Sequence, residues 1–336
     1  MQQISVGFDT IRFMIWQSLP RPFLVLAPLE GVADTVFRQI VASTAKPDLF
    51  VTEFTSADGF CSPGRTAVRE NFIFTTKEEP IIAQIWGRNP DTIFETVKAI
   101  SGMGFSGIDI NMGCPDRNVC AHGGGAAMIN TPEVAANVIQ AAKDAIKASG
   151  VELSMSVKTR IGIKRIITES WITFLLEQGI DALTIHGRTA AELSKVPAHW
   201  DEIAKSVEIR NRMKVPTVII GNGDVRDARD AMEKHKVYGV DGVMIGRGIF
   251  NNLWVFDRSQ RPHVATPEEL LDVMERHVKL FTQVWGEKKN YAILKKFYKI
   301  YVNGFHGATE WRVRAMATNT AEESLALLRK LRGTLT

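Results

Sequence analysis

Cysteine is scarce in this 336-residue chain: Cys61, Cys114 and Cys120, in no paired spacing. That excludes a disulfide framework and a cysteine-based zinc site, and it points to a reducing, cytoplasmic setting. Long apolar runs are missing as well. No stretch approaches the roughly 18 apolar residues of a membrane helix. The apolar segment 11–16 has no basic leader before it and no small-residue cleavage site after it. Neither a secretory signal nor membrane contact is expected. No G-x-G-x-x-G follows the first strand-like segment, which argues against an open dinucleotide-binding sheet. Charge of either sign is nearly balanced, with a net of +4, but it is unevenly placed. From Asp257 onward, fourteen Lys and Arg stand against nine Asp and Glu, whereas the residues before it hold 27 and 28. The excess is either a solvated helical surface or a footprint for a polyanion.

What is present is an alternation. Short apolar segments rich in β-branched residues recur, each followed by a stretch of helical period. Strands are predicted at 23–28, 49–54, 81–86, 107–112, 153–160, 182–187, 217–221 and 242–246. Helices are predicted at 91–103, 132–149, 166–178 and 226–236, several opening with a good cap, as Thr131-Pro132-Glu133 does. Eight near-continuous apolar strands alternating with helices predict an α/β fold, a parallel (β/α)8 barrel. After about Pro262 the strand signal stops. Helices over 267–285, 291–305 and 320–331, with 310–317 as a candidate fourth, predict a small all-helical bundle. The expected division is a leader over 1–20, a barrel over 21–258 and a helical domain over 263–336.

In a barrel, polar residues at the C-terminal strand ends face the site. Here every strand supplies some: Glu30, Glu53, Gln84, Asn111 with Cys114, Lys158 with Arg160, His186 with Arg188, Asn222-Gly223-Asp224, and Gly246-Arg247. The last two loops suit a phosphate, because glycines let backbone N–H groups approach an anion and Arg247 adds a charged donor. Lys158 interrupts an apolar strand, so it either pairs with Asp109 or Glu53 or faces an anionic ligand. His186 is either a hydrogen-bonded core histidine or a donor to the same ligand. Gln84 can offer one donor and one acceptor to an amide edge. Cys114 sits between Gly113 and Pro115 at a strand end. It is a small buried hydrophobe, a nucleophile or a general acid. Cys61 and Cys120 carry no assigned role, and no metal site is expected.

Together these blocks resemble the tRNA-dihydrouridine synthases, most closely the bacterial B-type subgroup. The matching segments are Ala27-Pro28-Leu29-Glu30-Gly31-Val32-Ala33-Asp34, Asp109-Ile110-Asn111-Met112-Gly113-Cys114-Pro115, Ser156–Arg160, Ile185–Thr189, Gly221–Asp224 and Ile245–Arg247, in the family's order. The resemblance implies FMN, NADPH as reductant and uridine in the tRNA D-loop as substrate. It implies hydride transfer from flavin N5 to uracil C6, with Cys114 delivering a proton to C5. By motif, Pro28, Leu29 and Glu30 line the flavin, with Gln84, Lys158 and His186 at its ring. Asn222, Gly223, Asp224, Gly246 and Arg247 hold its phosphate. Asn111, Arg160 and Arg188 surround the flipped base, and Lys295 and Lys296 on the tail contact tRNA. A flipped base calls for a basic accessory surface, which the tail would supply. A monomer is expected. Departures are Asp116 and Asn118, where the family has a small residue and a lysine, and Leu29, where methionine is commoner. Rival readings are an FMN barrel acting on a free pyrimidine, and a non-catalytic tRNA-binding protein.

Overall fold

The structure, a computed structural model, describes residues 14–335. Parallel strands β1 (Phe23–Leu26), β2 (Leu49–Val51), β3 (Thr55–Ser56), β4 (Ile81–Trp86), β5 (Gly107–Met112), β6 (Ser154–Arg160), β7 (Ala182–His186), β8 (Val218–Asn222) and β9 (Gly242–Ile245) pair in sequence, and β1 pairs β9 to close the ring. The barrel is eight-stranded because β2 and β3 are halves of one strand, both paired to β4.

The sequence predicts that second strand unbroken to Phe54. Instead Val51 lies opposite Ile82 and Thr55 opposite Ile85, four residues of advance on one strand against three on the other. That is a bulge, and its cause is local. Thr52 Oγ1 accepts the Gln84 N–H at 3.0 Å, displacing a ladder bond. Bulges kink a strand and re-aim its side chains, here Glu53.

The interior of the barrel is filled by Phe23, Val25, Leu49, Val51, Ile82, Ala182, Val218, Ile220 and Met244. Trp16 joins them. It sits on the short helix α1 (Met14–Ser18), is 1% exposed, stacks obliquely on Phe23 with ring centroids 5.7 Å apart, and donates its indole N–H to Ser154 Oγ. Residues 14–18 of the expected leader are thus part of the barrel's base.

A larger apolar shell lies between the strands and the outer helices. Those that matter below are α2 (Thr35–Thr44), α6 (Arg117–Ala121) and, in the tail, α11 (Pro267–Trp285), α12 (Tyr298–Tyr301), α13 (Ala308–Ala317) and α14 (Ala321–Arg332). Numbered between them are α3 (Ala57–Cys61), α4 (Arg65–Arg69), α5 (Pro90–Ile100), α7 (Pro132–Ser149), α8 (Thr168–Glu177), α9 (Trp200–Met213) and α10 (Ala228–Tyr238). α11 carries a full capping box, Thr266 with Glu269, and Pro267 in its first turn.

The helix predicted over 291–305 is corrected. Residues Tyr291–Phe297 form a 3-10 segment, α12 adds four residues, and the chain leaves helical geometry at Val302. The side chains explain it. In the 3-10 segment Leu294 and Phe297 are buried three residues apart, the period of a 3-10 turn, and α12 then buries Tyr298, Ile300 and Tyr301. Phe297 stacks on Phe37 of α2 with centroids 4.7 Å apart, which fixes that face against the barrel. No helix among the described residues is long and apolar enough to cross a membrane.

Candidate active site

The C-terminal strand ends enclose a cavity of about 780 Å³. Pro28 and Leu29 form one wall, Lys158, Arg160 and His186 the floor side, and Asn222, Gly223, Asp224, Gly246 and Arg247 the far rim. Its lining holds five cationic side chains (Lys158, Arg160, Arg188, Arg226 and Arg247) against a single carboxylate, Asp224. Such a cavity selects anions.

Lys158 makes no hydrogen bond or ion pair among the described residues, and both alternatives for its pairing fail. The Asp109 oxygens accept from Gln84 Nε2 at 2.7 Å and Ser156 Oγ at 2.6 Å, and Glu53 accepts from Val32 N at 2.8 Å. Burial, with Arg160 next to it, lowers the Lys158 ammonium to about 8. A half-buried cation with no partner, beside open space, is what an anionic ligand would satisfy. The residues therefore fit a flavin phosphate and an electron-rich ring.

His186 is held neutral, far below its usual value, by burial and then by the cations Lys158, Arg160 and Arg188 around it. Arg188 Nη1 lies 3.2 Å from its Nε2. A guanidinium can only donate, so Nε2 accepts and the ring proton is on Nδ1.

Four expectations change with the geometry. Gln84 is fully buried, with its amide spent on Asp109 and Asn111, and does not line the cavity. Asn111 is 5% exposed; its Oδ1 accepts from Gly113 N at 3.1 Å and Cys114 N at 2.9 Å, and its Nδ2 donates to Gln84 Oε1 at 2.9 Å. It shapes the Cys114 loop instead of reaching into the cavity. Arg188 is 2% exposed and engaged by Val196 O, His186 and Asp224, a brace more than an RNA contact. Glu30 is exposed and is not among the residues that line the cavity, and desolvation of its carboxyl and the nearby Glu53 charge raise it to about 7.

Cys114 is half-buried, and burial pushes its thiol up, so it stays protonated. Its loop is held from several sides. Arg160 Nε donates to Gly113 O at 2.8 Å, Ala126 N to Cys114 O at 2.9 Å, and Cys120 Sγ to the same carbonyl at 3.4 Å. The chain Cys114–Asn111–Gln84–Asp109–Ser156 is missed by sequence reasoning; the alternation of polar residues along β5, Asp109 then Asn111, is its available signal. Asp224 likewise lies between Arg188 and Arg247, the latter at 3.1 Å.

A closed parallel barrel with buried cations, a neutral histidine and a protonated thiol at its strand ends defines a barrel enzyme whose chemistry sits at the C-terminal mouth. The model of the family described as dihydrouridine synthase (Dus) matches residues 25–334. The chain is 44% identical to a probable tRNA-dihydrouridine synthase of Staphylococcus aureus (strain COL), over 93% of its length and 94% of the relative's. It is 43% identical to the probable tRNA-dihydrouridine synthase 2 of Bacillus subtilis (strain 168), over 93% and 95%. The chain belongs to the dihydrouridine synthase family of oxidoreductases.

Proposed function

We propose that this enzyme reduces the C5–C6 double bond of a uridine in the tRNA D-loop, using FMN and NADPH, in the cytoplasm. The observation that carries the reading is the unpartnered Lys158 ammonium beside a cavity with a cationic majority, with the Cys114 thiol in the loop after the adjoining strand β5. Asn222, Gly223, Asp224, Gly246 and Arg247 would hold the flavin phosphate, Pro28 and Leu29 its ring face, and Lys158 its electron-rich edge. Bound FMN, reduced by NADPH, supplies the hydride for C6.

The chain's own residues do the rest. Cys114 gives its proton to C5, a role that needs a thiol and not a thiolate; burial maintains that state. Asn111 and Arg160 fix the loop that carries the thiol. His186, neutral and protonated on Nδ1, offers a hydrogen-bond donor without adding charge. Arg188 and Asp224 brace His186 and Arg247. The tail, with Lys295 and Lys296, supplies the RNA-binding surface.

Cys114→Ala is expected to retain FMN and still be bleached by NADPH, while dihydrouridine formation falls by roughly 10²-fold. Cys61→Ala and Cys120→Ala should remain near wild type. A Cys114→Ala enzyme that reduces tRNA at the normal rate would remove the thiol from the reaction.

A further inference from the structure

A second cavity, of about 450 Å³, lies between the loop after β1 and the helical tail. The segment after β1 serves both: Ala27, Pro28 and Leu29 line the first, and Gly31, Val32 and Asp34 line the second. One part of its wall is apolar, formed by Val32, Phe281, Ile293, Leu294 and Phe297, and the rest is polar, with Asp34 and Lys296 among it. Two buried polar side chains also line it. Glu53 is 4% exposed and His277 2%. One Glu53 oxygen accepts from Val32 N at 2.8 Å, and the other has no partner among the described residues. His277 Nδ1 meets Tyr301 Oη at 2.6 Å, while Nε2 has none. Burial keeps that imidazole neutral, lowered to about 4.

Neither atom is sealed off without a partner; both side chains line the cavity with an atom that no protein group engages, a pair that a ligand with complementary groups would satisfy. The bulge at Thr52–Phe54 is what re-aims Glu53 out of the strictly alternating strand. Lys288 is exposed, and Lys289 lies over the Trp285 ring at 3.7 Å with Asp34 at 3.6 Å, so Lys288 is the cation left for a phosphate. A flat, donor-bearing ring against the apolar side, with a phosphate at Lys288, matches this chemistry.

We infer that the cavity is a nucleotide subsite that takes a guanine from the same RNA, next to the extruded uridine. Guanine presents adjacent N1–H and N2–H donors to a carboxylate, with O6 left for His277. Uracil presents one N–H flanked by two carbonyl oxygens, which Glu53 repels. The occupant's being RNA rests on the function proposed above; the base preference rests on Glu53 and His277.

The test is calorimetric titration of the full chain, loaded with FMN, using GMP, AMP and UMP. GMP should bind tightest, with UMP at least about tenfold weaker. Glu53→Gln keeps an acceptor for Val32 N and should cost GMP about tenfold or more, the loss of one charge-assisted hydrogen bond. The same variant should raise the KM for tRNA. GMP preference that depends on Glu53, in an enzyme that fails to reduce tRNA, would support the subsite and sink the tRNA reading. tRNA reduction with GMP no tighter than UMP or AMP, or with GMP binding indifferent to Glu53→Gln, would overturn the subsite.

Discussion

At the scale of single residues, the thiol is positioned by what lies behind it. Gly125 adopts φ +56°, and a Cβ there would sit 2.5 Å from Cys114 O and 3.2 Å from Cys114 Cβ. Neither backbone can yield without moving the thiol. Gly125→Ala is expected to keep its flavin and lose dihydrouridine formation, by roughly 10²-fold for a displacement near an ångström. Mass-spectrometric counting of dihydrouridine in treated tRNA checks it; normal yield would show that the loop absorbs the methyl group. Lys158 makes a prediction in pH. Burial lowers its ammonium to about 8, so the charge is present below that pH and lost above it. An anionic ligand binds the charged form, so FMN affinity should hold steady from pH 6.5 to 7.5 and decline as pH rises through about 8. Lys158→Met should bind FMN more weakly with a flat profile over the same window. A wild-type affinity that is level to pH 9.5 would place the flavin away from Lys158.

At the scale of elements, irregularities do the positioning. The bulge between β2 and β3 turns Glu53 toward the tail, and the 3-10 segment buries Leu294 and Phe297 three residues apart, with Phe297 stacked on Phe37 of α2. Helix α1 closes the barrel's base through one side chain. Trp16→Ala removes a fully buried indole and its bond to Ser154, and core Trp→Ala changes cost about 3–5 kcal/mol. Urea unfolding should show that loss with FMN stoichiometry unchanged, since the mouth lies at the opposite end of the strands. A variant as stable as wild type would mean that α1 is a dispensable attachment.

At the scale of the molecule, the tail is docked on the barrel through the first βα unit. Trp285 Nε1 donates to Asp34 at 2.8 Å, Lys289 pairs with Asp34 at 3.6 Å, and Lys296 Nζ donates to Gly31 O. Lys295 Nζ reaches Asn319 at 3.1 Å. The two bonds made by Lys295 and Lys296 are light and exposed, and a phosphate can replace them. Lys295→Ala with Lys296→Ala should weaken tRNA binding and reduce the slope of log affinity against log salt by up to about two, one for each phosphate that is no longer neutralised. Flavin content should stay normal. Unchanged affinity through a salt titration would assign these lysines to docking alone.

The strand–helix alternation and the polar residues at strand ends are properties of local order, and the sequence by itself determined the barrel from them. β4, β5 and helices 132–149 and 267–285 fall where periodicity and caps put them, because their faces are buried in the pattern their residues spell. The same order placed Lys158, His186 and the two glycine-bearing loops around one cavity. Which way a strand-end side chain turns is another matter, since it depends on partners far along the chain. Gln84 and Asn111 look like ligand contacts until Asp109 and the Cys114 loop take up their hydrogen bonds. Glu53 looks like a barrel residue until an extra residue rotates it, and Trp16 looks like leader until Ser154, 138 positions away, accepts the hydrogen bond of its indole N–H. Long-range pairing decided those, because a hydrogen bond or a packed ring is satisfied in space and leaves no period in the sequence.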